Sequence, residues 1–485
     1  MSVEVVSRPG LGSTAGLPSK AKFDTARRDE GTVAPDAGSA LILQQRLTAS
    51  TRRTVREFLA HHVAIARREL IDPQSREWFH LTLRLWLVFS VVVTIKTFVS
   101  PDRHTVYTFF DQASINWWRG ESMYVADAIT TGYRYTPTFA VALTPMAVLP
   151  RAIGGSLWTL ANVWMLYAAL RLFARDMLGS LWTRRREAAL LMVALVLSIR
   201  GFWAAQSNAM LLALVLLAGS LVLRGAWWRA ALCLALPVYI KIWPIAAALV
   251  LVACWPRQLA WRWLVCMVVL AVVPFATQGP AYVFRQYQEF GELLMGPCQA
   301  RWSAFRDAWT IWEAVGTPEP RAFQVLQLAA AGGVLAGCLW KRLTGAPAAR
   351  VVLAAVALWP AWQLLFGPAS ERNTYGLLAP ALALALVESW HTGRGRWLAW
   401  LAMGCFVIGS GGIERSLTQF APGAKAILPL GVVVYLGWFF FYGWRERATQ
   451  VGAAGAPSQH RHLLLPHLSA KAACVERSAV GSLTR

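Results

Sequence analysis

The chain has 485 residues, 56% of them hydrophobic and only 15% charged, with 25 tryptophans. An average soluble domain carries roughly 25% charged residues, so this composition excludes an ordinary water-facing surface and points to lipid as the solvent. The 47 Lys and Arg against 25 Asp and Glu leave a formal charge of +22. That excess lies in short stretches between apolar runs and in the tails, a placement that sets membrane orientation rather than nucleic-acid binding.

In chain order, residues 1–50 are rich in Gly, Ser, Ala, Thr and charge without sustained periodicity, and read as a disordered tail. Residues 51–78 contain RRTVREFLAHHVAIARREL, where Val55, Phe58, Leu59, Val63, Ala66 and Leu70 recur at helical spacing among arginines. The pattern predicts an amphipathic helix on the membrane surface, with a solvated linker helix as the alternative. The first apolar run starts near Phe79, far beyond signal-peptide length, so the first span is expected to anchor the chain.

From 79 to 445 a single membrane domain is expected, with spans near 81–99, 153–173, 187–203, 207–223, 229–240, 243–255, 259–277, 322–340, 348–366, 374–390, 397–413 and 425–442. Several are shorter than the roughly 20 residues a bilayer asks for, and the pair flanking Lys241 reads as half-helices inside a bundle. Residues 136–149, between Pro137 and Pro150, read as re-entrant, which leaves the basic loops on one side and both termini cytoplasmic. Long outer loops are then expected near 100–135 and 278–321. Residues 446–485 read as a second disordered tail. The seven cysteines show no metal-ligand spacing, and no phosphate-cradling glycine loop, nucleophile elbow or zinc signature occurs. No cofactor or metal is therefore expected, and a soluble nucleotide-sugar or ATP site is disfavoured.

The chemistry-bearing residues gather on the predicted outer side. The first outer loop is too apolar for a plain loop. It predicts a helix near Val106–Trp118 that holds Asp111 at the membrane surface, where partial desolvation makes a carboxylate a better base. Asp111 leads as general base and Asp102 stands in reserve; each alone also reads as a helix cap or a solvated side chain. Lys241, in PVYIKIWP, sits where an ammonium is costly without an anionic partner, and a lipid phosphate would serve; snorkelling to the interface is the alternative. Arg200, the knot Gln206, Ser207 and Asn208, and Glu371, Arg372, Asn373 and Tyr375 in GPASERNTYG fall at the same face. Glu371 and Arg372 read alternatively as a structural ion pair.

Taken in order, these motifs resemble glycosyltransferase family 87. The resemblance is carried by VYTFFDQASINWWRGESMY followed by YRYTPTFAVALTPMAVLP, which includes Tyr135, and by QSNAMLLALVLLA, PVYIKIWP and ERNTYGLLAPALALAL. It implies an all-α GT-C bundle with a helical first outer loop that supplies a catalytic carboxylate. It also implies an inverting hexosyltransferase that moves mannose from a polyprenyl-phosphate donor to a glycolipid or glycan acceptor at the outer face of the plasma membrane. In that reading Lys241 and Arg200 bind the donor phosphate, and Asn208, Glu371, Arg372, Asn373, Tyr375 and Tyr135 bind substrate. Partners are membrane lipids and the lipid-linked sugar, with no nucleic acid. The sequence departs from the family in the spacing of its aspartates: Asp102 lies eighteen residues before Gly120 and Asp111 nine before it. A transporter or lipid flippase, or a non-catalytic relative, also suits a polytopic chain with broken helices.

Overall fold

The computed structural model describes residues 73–103, 105–124, 132–179, 182–295, 305–317, 319–367 and 370–443. Both tails expected to be disordered, and the amphipathic segment as far as residue 72, lie outside the described residues. Residues 73–78 of that segment belong to the first helix, which runs unbroken into the first apolar run.

Seventeen α-helices occur among the described residues. The first half contains α1 (Pro73–Val99), α2 (Tyr107–Arg119), α3 (Pro137–Ala147), α4 (Arg151–Leu178), α5 (Arg184–Trp203), α6 (Asn208–Leu223), α7 (Trp227–Ile240), α8 (Ile245–Cys254) and α9 (Pro256–Val272). Then follow α10 (Pro280–Met295), α11 (Ala308–Val315), α12 (Pro320–Leu343), α13 (Ala348–Phe366), α14 (Ala379–Thr392), α15 (Arg396–Ser410), α16 (Gly412–Phe420) and α17 (Ile427–Trp438). A 3-10 turn, Arg372–Leu378, leads into α14.

Each of the twelve expected spans coincides with a helix. Six of these helices are long and apolar enough to cross a bilayer on their own, and α15 with α16, bent by 82°, makes a seventh if counted as one span. Of the others, α6, α7 and α8 are shorter apolar helices, and α6 is buried along most of its length. The protein is an all-α, multi-pass membrane protein. Its α9 and α12 present Leu264, Val268, Val325 and Leu328 outward, and such surfaces have no stable partner in water.

Local chemistry sets the element ends. Thr136 caps α3, accepting from the Phe139 amide, and Pro137 occupies the first turn, where its missing N–H costs nothing. Gly120, at φ +72°, closes α2 by letting its own and the Glu121 amide reach the Trp117 and Asn116 carbonyls. Interior packing uses small residues for close approach: a Cβ at Gly431 of α17 would stand 2.8 Å from Cys405 of α15, and one at Gly219 of α6 would stand 2.7 Å from Val352 of α13.

Side-chain links give the bundle two chemically distinct ends. At one, Arg171 and Arg175 meet buried Glu187, Arg224 meets Asp176, Arg186 meets His391, and Arg342 donates to the Cys254 carbonyl. At the other, Arg151 joins Asp102, Lys96 reaches the Trp203 carbonyl, Lys241 reaches Asn208, and Arg200 reaches the Ser410 carbonyl. Helix α3 stays at this second end. Thr136 just before it bonds to the Tyr239 carbonyl, and Arg151 just after it pairs with Asp102 at the exit of α1. The segment 136–149 thus holds one eleven-residue helix whose two flanks are both tied to this end.

Candidate functional site

The helix break at Lys241 follows from its neighbours. Pro244 cannot continue α7, and Lys241 takes an extended conformation (φ −137°, ψ 142°) between α7 and α8. Its ammonium donates to Asn208 Oδ1 at 3.0 Å and lies 5.4 Å from the Tyr135 ring centroid. Asn208 in turn donates through Nδ2 to the Asn373 carbonyl at 3.2 Å. Glu371 is the carboxylate whose field reaches both Lys241 and Tyr135. Five of the residues expected from sequence, Tyr135, Asn208, Lys241, Glu371 and Asn373, therefore converge on one pole.

The turn between α5 and α6 shapes that pole. Ala205 has φ +49°, the only positive value at a non-glycine residue among the described residues, a conformation that costs a side chain of order 1–3 kcal/mol. The turn is held from both sides: Trp158 Nε1 donates to the Ala205 carbonyl at 2.9 Å, and the Val106 amide donates to the Ala204 carbonyl at 2.9 Å. It delivers Gln206, Ser207 and Asn208 in succession. Gln206 Oε1 is buried without a hydrogen-bond partner, while the Ser207 hydroxyl lies beside that of Tyr135. Buried polar atoms are nearly always satisfied, and an unsatisfied one next to a cation is a feature of polar ligand sites.

A second cluster sits at the start of the outer loop. Asp111, 3% exposed on α2, accepts from Arg151 Nε at 2.7 Å, while Arg151 Nη1 reaches Asp102 at 2.8 Å. The Asp102 side chain is 65% exposed. Beneath them Tyr107 packs over Gly154, where a Cβ would collide with the Tyr107 hydroxyl and the Met146 carbonyl. Burial first, and then the Asp111 carboxylate, push that hydroxyl well above the ordinary phenol range. The cluster holds α2 against α4. Of the two aspartates, only Asp102 is open to a reactant.

The remaining candidates form a third group. Arg372 pairs with Glu414 of α16, not with Glu371, so the adjacent ion pair read from sequence does not form. Arg306 makes a 2.9 Å ion pair with the same Glu414 and is 4% exposed at its side chain. Tyr375 is buried and donates to the Arg306 carbonyl at 2.7 Å, a tie between loop and bundle rather than a group facing a ligand. Arg200 belongs here too, within electrostatic reach of Arg306, Glu414 and Arg372. The contacts of Arg200 are therefore with this group, while the sequence reading set it beside Lys241.

Sequence reasoning did not single out Arg151, Arg306 or Glu414. Arg151 follows Pro150 at a helix start but is one arginine among many, while Arg306 and Glu414 acquire meaning only through each other across 108 residues of chain.

The helical membrane bundle thus carries a half-buried cation at a helix break, beside buried polar side chains and an aromatic loop. The sequence model of glycosyltransferase family 87 matches residues 133–390, more than half of the chain. The chain belongs to that family and is by that membership a membrane glycosyltransferase. The match contains Tyr135, Arg200, Asn208, Lys241, Glu371, Arg372, Asn373 and Tyr375, and stops short of Asp102, Asp111 and Glu414. No curated protein matches the chain.

Proposed function

We propose that the protein is an inverting hexosyltransferase that moves mannose from a polyprenyl-phosphate donor to a glycolipid or glycan acceptor at the outer face of the plasma membrane. The observation that supports this reading is Lys241, an ammonium placed at a helix break and held by Asn208 under the Tyr135 ring, in the neighbourhood of the unsatisfied Gln206 Oε1. As the bond from the anomeric carbon to the phosphate oxygen breaks, negative charge grows on the leaving phosphate, and a fixed cation in a water-poor site stabilises it more than water would. Asn208, Asn373 and Glu371 orient the lysine and offer hydrogen bonds to sugar hydroxyls.

The acceptor hydroxyl attacks from the opposite face and gives up its proton to a carboxylate. Exposure reverses the order in which sequence ranked the two aspartates. Asp111 is committed to Arg151 and closed off, whereas Asp102 is exposed and its loop is tied through Val106 to the turn that carries Asn208. Asp102 is the base in this reading, with Asp111 and Arg151 positioning its loop.

The test is transfer of label from a polyprenyl-phosphate mannose by purified protein. Lys241→Ala should lower transfer by about 10²–10³, and Asp102→Asn by about 10²–10⁴, while Asp111→Asn keeps a measurable part. Undiminished transfer by Lys241→Ala sinks the donor assignment. Activity retained in Asp102→Asn but lost in Asp111→Asn returns the base to Asp111.

A further inference from the structure

The arginine group around Glu414 has more positive charge than its own fold requires. Arg200, Arg306, Arg372 and Arg415 share a neighbourhood in which the facing carboxylates are Glu414 and, beside Arg306 and Tyr375, Asp307. Among the described residues, three buried or half-buried guanidinium groups, with Arg415 exposed beside them, thus face two carboxylates. Like charges brought this close repel, and a further anion joining them relieves that repulsion.

Two observations aim the surplus at a ligand. Arg372 Nε is buried without a hydrogen-bond partner, although the Arg372 side chain keeps 17% exposure. Arg200 spends a guanidinium donor on a lone backbone carbonyl, that of Ser410. Planar guanidinium groups with free donors match the oxygens of a phosphate in pairs.

Helix α16 fixes the depth of the cluster. Folded back by 82° from α15, it buries Glu414 while Ile413, Leu417 and Phe420, at i, i+4 and i+7, are 55%, 39% and 86% exposed. A short helix with one apolar stripe outward and a charged residue inward lies at the boundary of headgroups and acyl chains. That is the level at which the phosphate of a membrane lipid sits.

We infer that Arg200, Arg306 and Arg372 form a second phosphate-binding pole, separate from Lys241, that takes the phosphodiester of an anionic membrane lipid, with Glu414 as the internal carboxylate that the lipid phosphate displaces. The two poles meet neighbouring residues of one short segment: the Asn373 carbonyl accepts from Asn208, which holds Lys241, and Arg372 pairs with Glu414. The site therefore accommodates two lipid phosphates together, the donor's at Lys241 and an acceptor's or a bound lipid's at the arginines. The donor half of this statement rests on the function proposed above; the arginine pole does not.

The experiment uses the full chain in detergent, equilibrated in turn with a phosphatidylglycerol, farnesyl phosphate and inorganic phosphate, with occupancy read by native mass spectrometry. Arg200→Gln, and the charge-balanced double variant Arg372→Gln/Glu414→Gln, should each weaken phosphatidylglycerol binding by about ten- to hundredfold. Lys241→Gln should leave it unchanged and weaken farnesyl phosphate alone. Glu414→Gln by itself should tighten phosphatidylglycerol, a gain that a merely structural ion pair does not give. Phosphatidylglycerol binding unaltered by the arginine variants overturns the pole. Equal, arginine-dependent binding of inorganic phosphate overturns its assignment to a lipid. Farnesyl phosphate that follows the arginines and ignores Lys241 overturns the separation of the two poles. If farnesyl phosphate ignores both while phosphatidylglycerol still needs the arginines, the donor reading fails and the second pole stands.

Discussion

Arg151 illustrates how one side chain divides its worth. Its contact with Asp102 joins two largely exposed groups, and pairs of that kind contribute about 0–1 kcal/mol. Its contact with Asp111 is different, because removing the cation leaves a carboxylate of 3% exposure without compensation. Fully buried pairs lose roughly 3–5 kcal/mol when one partner is deleted; with Arg151 itself 37% exposed, about 1–3 kcal/mol is the expected range. Arg151→Gln should therefore lower the thermal midpoint of the detergent-solubilised protein, and Asp102→Asn should leave it nearly unchanged. Adding Asp111→Asn to Arg151→Gln should restore part of the loss, because the buried charge is gone. A double variant no more stable than the single one would mean that the pair is not what holds α2 in place.

At the scale of elements, the bundle joins long apolar helices to shorter ones, and glycine governs how closely neighbouring helices approach. Gly431 of α17 faces Cys405 and Phe406 of α15, and Gly409 of α15 faces Leu428 of α17, so the two helices interlock at reciprocal small residues. Without a hydrophobic force between helices in lipid, such close van der Waals contact is a main source of association. Gly431→Leu should cost about 1–3 kcal/mol by overpacking, read as a lowered thermal midpoint. Gly437→Leu, on the same helix with open space around its Cα, should change the midpoint little. The helix breaks place the candidate residues: Pro244 ends one helix so that Lys241 meets Asn208, and the bend after Ser410 brings Glu414 to Arg306 and Arg372.

Over the whole molecule, the separation of a basic end from a site end makes a single prediction about sidedness. Single cysteines placed at Arg185 and at Asp102, in a background from which the native cysteines are removed, should react with a membrane-impermeant thiol reagent from opposite sides of sealed vesicles. Labelling of both from the same side would contradict the two-ended arrangement. The expected orientation puts Arg185 inside, because loops rich in Arg and Lys stay cytoplasmic, and it places the Lys241 pole outside.

What the sequence by itself determined was the solvent, the helices and which polar residues would draw attention. Apolar runs of spanning length and prolines at fixed points are local features, so all twelve expected spans coincide with helices and the break at Lys241 falls where PVYIKIWP places it. Tyr135, Asn208, Lys241, Glu371 and Asn373 were legible because polar groups are so costly among apolar runs that each one stands out. Only the tertiary structure decided how they pair. It gave Arg372 to Glu414 instead of Glu371, set Arg200 within electrostatic reach of that same Glu414, closed Asp111 behind Arg151 and left Asp102 open. The reason is physical: burial and ion pairing depend on which helix ends meet, and that is settled by the packing of the whole bundle rather than by any residue's neighbours in the chain.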